Sequence, residues 1–225
     1  MIGPYALVCL DMAGTTVRDD GAVDAAFTSA LAAVGVTPGT RSYEEAELVV
    51  HQTMGWSKAD VFATLFEPDE ARDATAAFAA AYEAIVAAGE VGEIPGARQV
   101  LRALRAAGVK VCLTTGFAPS TRDALLRALG WGPDVDLALS PADVGRGRPA
   151  PDLILGAMAR LGVDDPHAVA VVGDTVSDLQ AGNAAGAGMV VGVLSGAHDA
   201  ATLEAASPTA VLADVTSLVA LLGRA

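Results

Sequence analysis

Five side chains of this sequence have the types and settings that phosphoryl chemistry needs. Asp11 ends the apolar run at residues 5–10. Thr115 and Gly116 end a second run at 109–114, and Asp174 and Asp178 follow a third at 168–172. Arg148 lies in the polar segment Arg146-Gly147-Arg148-Pro149. Asp11 and Asp174 can share a hard divalent cation, for which carboxylate oxygens suit Mg²⁺. The Thr115 hydroxyl and backbone amides near Gly116 can hold phosphate oxygens. The Arg148 guanidinium can bind phosphate oxygens and a nearby carboxylate. Asp11 is then a candidate carboxylate nucleophile that takes up a phosphoryl group as an aspartyl-phosphate. A lone aspartate after a strand more often caps a helix. For Asp178 that reading stands level with the functional one. For Asp11, Thr115, Arg148 and Asp174 together it is poor, because all four converge on one edge of the expected sheet.

The elements that must position them are legible as short apolar runs. Strands are expected at 5–10, 109–114, 135–140, 168–172 and 189–193. Runs of this length without alternation suit strands buried on both faces of a parallel sheet. Helical patterns at 97–107, 120–129, 152–161 and 176–185 lie between them, closed by Gly108, Gly130, Gly162 and Gly186. Strand alternating with helix predicts an α/β fold with a doubly wound parallel sheet. Such sheets bind ligands at the carboxyl ends of their strands.

About a hundred residues separate Asp11 from Thr115, whereas a strand–helix–strand unit needs about 30. The excess carries only helical patterns, at 24–34, 43–52, 57–66 and 69–88. A small helical cap domain over 18–93 is therefore expected, inserted into an α/β core formed by 1–17 and 94–225. Segments 16–21 and 89–96 act as linkers.

Composition narrows the partners. The chain has 225 residues, 14 Lys+Arg against 27 Asp+Glu, and a net charge of −13. That excludes a general nucleic-acid binder, which needs a basic footprint. It leaves room for a small phosphorylated substrate held by a local cation. Cys9 and Cys112 are too few for a disulfide framework and sit in apolar runs, so buried thiols of a reducing compartment are expected. No apolar run reaches membrane-spanning length and the opening residues have no basic segment, which predicts a cytoplasmic protein without a membrane anchor.

The motifs Asp11-x-Ala13-Gly14-Thr15-Thr16, Thr115-Gly116, Arg148-Pro149 and Gly173-Asp174-Thr175-x-x-Asp178 resemble, in this order, those of the haloacid dehalogenase superfamily of phosphotransferases. The likeness covers the whole expected core, and the helical insertion sits at that superfamily's first cap site. Two departures point further. Ala13 stands where most phosphatases of the superfamily carry a second, acid–base Asp, and Arg148 stands where most use Lys. Both resemble the phosphonatase family, whose cap motif Met-Gly-x-x-Lys is matched by Met54-Gly55-Trp56-Ser57-Lys58.

The resemblance implies the following roles. Asp11 is the nucleophile, and Mg²⁺ is held by Asp11, the Ala13 carbonyl and Asp174, with Asp178 behind them. Gly14, Thr15, Gly116 and Met54 contact the substrate. Lys58 forms a Schiff base with the substrate carbonyl, and a homodimer forms through the cap. The phosphonatase His three residues after the lysine is Val61 here, and the Tyr after Thr-Gly is Phe117. The chemistry is coherent. Cleaving a C–P bond leaves a carbanion, which an iminium on the neighbouring carbon converts to an enamine. A phosphate ester instead needs its leaving oxygen protonated, the task of the missing second Asp. The expected activity is Mg²⁺-dependent cleavage of phosphonoacetaldehyde or a related 2-oxoalkylphosphonate. The alternative is a phosphomonoesterase of the phosphoglycolate phosphatase or sugar-phosphate type. By itself Lys58 also reads as a solvated residue in a helix's first turn, with Ser57 as N-cap.

Overall fold

The computed structural model describes residues 3–224; the first two residues of the expected core and its last lie outside that range. In chain order the elements are β1 (Leu7–Asp11), β2 (Val17–Arg18), α1 (Ala22–Ala33), α2 (Arg41–Gln52), α3 (Lys58–Leu65), α4 (Pro68–Ala87) and β3 (Gly92–Glu93). Then come α5 (Ala97–Ala106), β4 (Lys110–Thr114), α6 (Pro119–Leu129), β5 (Leu137–Leu139), α7 (Asp152–Leu161), β6 (Val169–Gly173) and α8 (Val176–Ala184). The chain ends with β7 (Met189–Val193), α9 (Ala200–Ala205), β8 (Ala210–Leu212) and α10 (Leu218–Leu222).

Six strands form one parallel sheet in the order β5-β4-β1-β6-β7-β8. Both faces are covered, as the uninterrupted apolar runs require. Leu7 and Cys9 of β1 pack with Leu153, Ile154 and Met158 of α7. Val8 and Leu10 join the larger core with Leu101 and Leu104 of α5. Both cysteines are buried and unbridged. Connections run from β1 to β4 and β5 on one side and to β6, β7 and β8 on the other. The order of strands therefore reverses at β1, and a crevice opens at its carboxyl end.

Three features depart from the sequence expectation. The third strand is Leu137–Leu139, because Asp136 turns its carboxylate to the Val111 amide (2.9 Å). A sixth strand, β8, was not anticipated; it is three residues long and only half-buried. The two linkers pair as a short antiparallel ribbon, β2 with β3.

Helices α1–α4 lie between β2 and β3 in sequence. They pack around Phe27, Phe62 and Phe78, whose ring centroids are 4.8–6.4 Å apart. This aromatic cluster reaches the core through Phe117, 6.0 Å from Phe78 and 4.6 Å from Tyr82. The turn ahead of α3 docks on the core at two loops. The Lys58 amide donates to the Gly116 carbonyl (3.1 Å), and the Ser177 hydroxyl donates to the Met54 carbonyl (2.9 Å). None of the described helices is long and apolar enough to cross a membrane.

Candidate active site

The carboxyl ends of β1, β4 and β6 and the turn before α3 surround one cavity of about 350 Å³. Asp11, Ala13, Gly14, Met54, Lys58, Thr115, Gly116, Arg148 and Asp174 all line it. Parallel pairing with β4 and β6 on either side of β1 brings the three strand ends together. Thr15 and Asp178 are buried just behind this wall.

Asp11 is 5% exposed, and one oxygen accepts a hydrogen bond from Nη1 of Arg148 (2.6 Å). Arg148, equally buried, also pairs with Asp178. Burial lowers its proton affinity, but Asp178 and Asp11 outweigh this and keep the guanidinium charged. Its Nε is buried with no partner among the described residues, so a donor remains for an incoming oxygen. Asp174 is held at both oxygens, by the Thr15 hydroxyl (2.9 Å) and the Ala197 amide (2.8 Å). The Thr15 side chain is thus spent on Asp174, whereas the resemblance implied substrate contact. Asp178 is the third residue of α8, whose N-cap is Thr175. Its Oδ2 closes a capping box with Thr175 at the start of α8, while Oδ1 faces Arg148.

The carboxylates of Asp11, Asp174 and Asp178 offer oxygens within 4.8 Å of one another, all buried. Burial pushes the Asp11 carboxyl well up, Arg148 opposes this, and Asp178 and Asp174 add to it. Burial, then Asp178, pushes Asp174 up to about 6. Three carboxylates against one guanidinium leave surplus negative charge among buried side chains. An oxygen-only donor set of this charge fits a hard divalent cation.

Glycine is required where the chain passes closest to these groups. A Cβ on Gly14, which has φ +84°, would meet Asp174 Oδ2 at 2.3 Å. A Cβ on Gly116 would meet the Trp56 carbonyl oxygen at 2.3 Å. Thr115 accepts a hydrogen bond at Oγ1 from the Phe117 amide (3.1 Å), which fixes the hydroxyl at the cavity wall.

Lys58 is not a solvated residue. It is 8% exposed, with Ser57 capping the helix behind it through the Asp60 amide (3.2 Å). Its Nζ lies 5.0, 5.5 and 5.6 Å from the ring centroids of Phe27, Phe78 and Phe117. Among the described residues it has no ion-pair partner. Burial, followed by the charge of Arg148, pushes its pKa down to about 8. It therefore opens, partly as the neutral amine, into the cavity that also holds Asp11.

Several site residues carried no signal in sequence. Ser195, Gly196 and Ala197, after β7, line the cavity. Ser195 donates to the Gly14 carbonyl (2.7 Å), so this loop ties Asp174 to the β1 turn. Asp19, in the first linker, also faces the cavity. His198 reads from sequence as a surface loop residue; it is half-buried and accepts the Val176 amide at Nδ1 (3.0 Å), capping α8. Arg146 pairs with Asp152 at the surface, away from the cavity. His51 is exposed at the rim.

Comparison with known proteins identifies the family and the fold. A family model described as haloacid dehalogenase-like hydrolase matches residues 5–186. The phosphonoacetaldehyde hydrolase of Bacteroides fragilis is 39% identical over 112 residues, which are 49% of this chain and 42% of that protein. The match thus spans less than half of that relative's length. The probable phosphatase IndB of Dickeya dadantii is 30% identical over 222 residues, covering 95% of this chain and 91% of that protein. A hydrolase from Pseudomonas syringae has the same fold, with TM-score 0.83 and 27% identity over 97% of this chain and 98% of that one. The chain belongs to the haloacid dehalogenase-like hydrolases.

Proposed function

We propose that the protein hydrolyses the C–P bond of phosphonoacetaldehyde or a related 2-oxoalkylphosphonate. The observation that carries this reading is the placement of Lys58. A buried ammonium with no carboxylate within ion-pair distance among the described residues is costly, and here it opens into the same cavity as Asp11. An ester hydrolase would use such a group only to hold an anionic part of its substrate, whereas attack on a carbonyl needs the amine that burial favours. The local similarity to phosphonoacetaldehyde hydrolase supports the same reading.

Asp11, the Ala13 carbonyl and Asp174 would hold Mg²⁺, which when bound neutralises charge on the phosphoryl oxygens. The neutral Lys58 amine attacks the substrate carbonyl, and loss of water leaves an iminium. Asp11 then attacks phosphorus. The C–P electron pair moves into the iminium to give an enamine, and the phosphoryl group passes to the Asp11 carboxylate. Arg148, with its spare Nε–H, and the Thr115 region orient the phosphoryl oxygens. Water hydrolyses the aspartyl-phosphate. Protonation of the enamine carbon and hydrolysis of the imine free Lys58.

The alternative, a phosphomonoesterase, is favoured by the full-length similarity to a probable phosphatase. A rate comparison separates the two. Phosphate release with Mg²⁺ should be at least about a hundredfold faster from phosphonoacetaldehyde than from phosphoglycolate, the size of effect a mismatched acid–base set costs. The reverse order would favour the esterase.

A further inference from the structure

Three phenyl rings surround the Lys58 ammonium, and none can take or give a proton. Val61, the next turn of α3, is buried and adds nothing. Yet an amine and a carbonyl become an iminium only if protons move: nitrogen loses one and the carbonyl oxygen leaves as water. The phosphoryl end is committed, since Asp11 is paired with Arg148 and both Asp174 oxygens are taken.

On the cap side the cavity wall carries Arg18, Asp19, Asp20, Asp24 and His51. Arg18 pairs with Asp20, and Asp24 and His51 are exposed. Asp19 alone among these carboxylates is half-buried. One oxygen is fixed by the Val23 amide (3.0 Å) at the opening of α1. Burial raises its proton affinity, and Lys58 and Asp19 each feel the other's charge.

We propose that Asp19 is the proton-transfer group of the carbonyl half of the reaction. This rests on the Lys58 imine reading. Asp19, beyond ion-pair distance of Lys58 but on the same cavity, first takes a proton from the Lys58 ammonium by way of solvent, leaving an amine and a carboxylic acid. The N–C bond forms, the C=O π pair moves to oxygen, and the acid protonates that oxygen. The resulting carboxylate removes one proton from nitrogen and passes it to the hydroxyl. The C–O bond breaks, water leaves, and the nitrogen pair closes the iminium. The sum is ammonium plus carbonyl giving iminium plus water, with the Asp19 carboxylate regenerated.

The test uses the full chain with Mg²⁺ and phosphonoacetaldehyde, and borohydride to reduce the imine at Lys58. Asp19→Asn keeps an acceptor for the Val23 amide, so α1 stays capped. Its trapping rate and kcat should each fall by roughly a hundredfold or more, with KM little changed. In Asp19→Ala, added acetate should restore part of the trapping rate, rising with acetate concentration. A merely structural role would not respond to acetate. Trapping in Asp19→Asn within about threefold of wild type, or no effect of acetate on Asp19→Ala, overturns the assignment while leaving the imine reading intact. Wild-type protein that is never trapped at Lys58 overturns both.

Discussion

Lys58 is bound by the fold at an energetic cost. Its pKa of about 8 lies below the 10.5 of a free lysine, so between those values the unfolded chain binds more protons. Stability contributed by this position therefore rises with pH through that window, and below about 8 the penalty is fully present. Lys58→Met removes it, and at pH 7 should raise stability by roughly 1–3 kcal/mol while abolishing C–P cleavage. Calorimetry beside a phosphate-release assay checks both; equal stability with activity intact would contradict the account. The same pKa sets the direction of the pH profile. The neutral amine fraction grows about tenfold per unit below 8 and then levels, so the rate of borohydride trapping should follow that curve. Ala13→Asp tests the other half of the argument. It supplies an acid for an oxygen leaving group, so it should raise phosphate-ester hydrolysis without improving phosphonate cleavage, read as the ratio of the two rates. Asp11, Thr115, Arg148 and Asp174 were legible because each ends or follows an apolar run with a restricted side-chain type. The burial of Lys58 was not, because its walls come from Phe27, Phe78 and Phe117, on three distant segments. Asp19 sits in a linker with no periodicity, so nothing in the sequence marked it.

At the scale of elements, the turn before α3 aims Lys58 by resting on two core loops. Gly116 meets the Trp56 carbonyl and Gly55 meets Thr175 Oγ1, each where a Cβ would stand only 2.3 Å away. Gly116→Val should therefore hold the turn off the core. KM should rise and kcat fall together, by at least about tenfold, because displacements near 1 Å are enough to cost rates of that order. Steady-state kinetics with normal near-wild-type values would show that this contact does not position Lys58. The helices of the insertion were legible from their 3.6-residue patterning and caps, and their ends fall within two residues of expectation. The β2–β3 ribbon was not, since two residues per strand are too few to show a period. The edge strand β8 was missed for a related reason: three half-buried residues carry little apolar signal.

Across the whole molecule, a chain of net charge −13 concentrates three buried carboxylates at one sheet edge. Binding a divalent cation there should stabilise the folded protein by about 2.7 kcal/mol at a hundredfold excess over Kd. Thermal unfolding in Mg²⁺ and in EDTA measures this, and a melting temperature indifferent to both would argue against the site. Asp174→Asn should lose most of the Mg²⁺-dependent increase. The doubly wound sheet was readable from the order of apolar runs. What the sequence could not give was the depth at which the inserted helices close on the core, because that depends on contacts between segments up to 123 residues apart. The central claim concerns a covalent bond between Lys58 and substrate carbon, and mass analysis of the peptide containing Lys58 after borohydride reduction during turnover of phosphonoacetaldehyde tests it most directly. The account predicts a stoichiometric secondary amine on Lys58 carrying the substrate's carbon fragment, with loss of activity and no such mass in Lys58→Arg. An unmodified Lys58 in an enzyme that continues to release phosphate would contradict it.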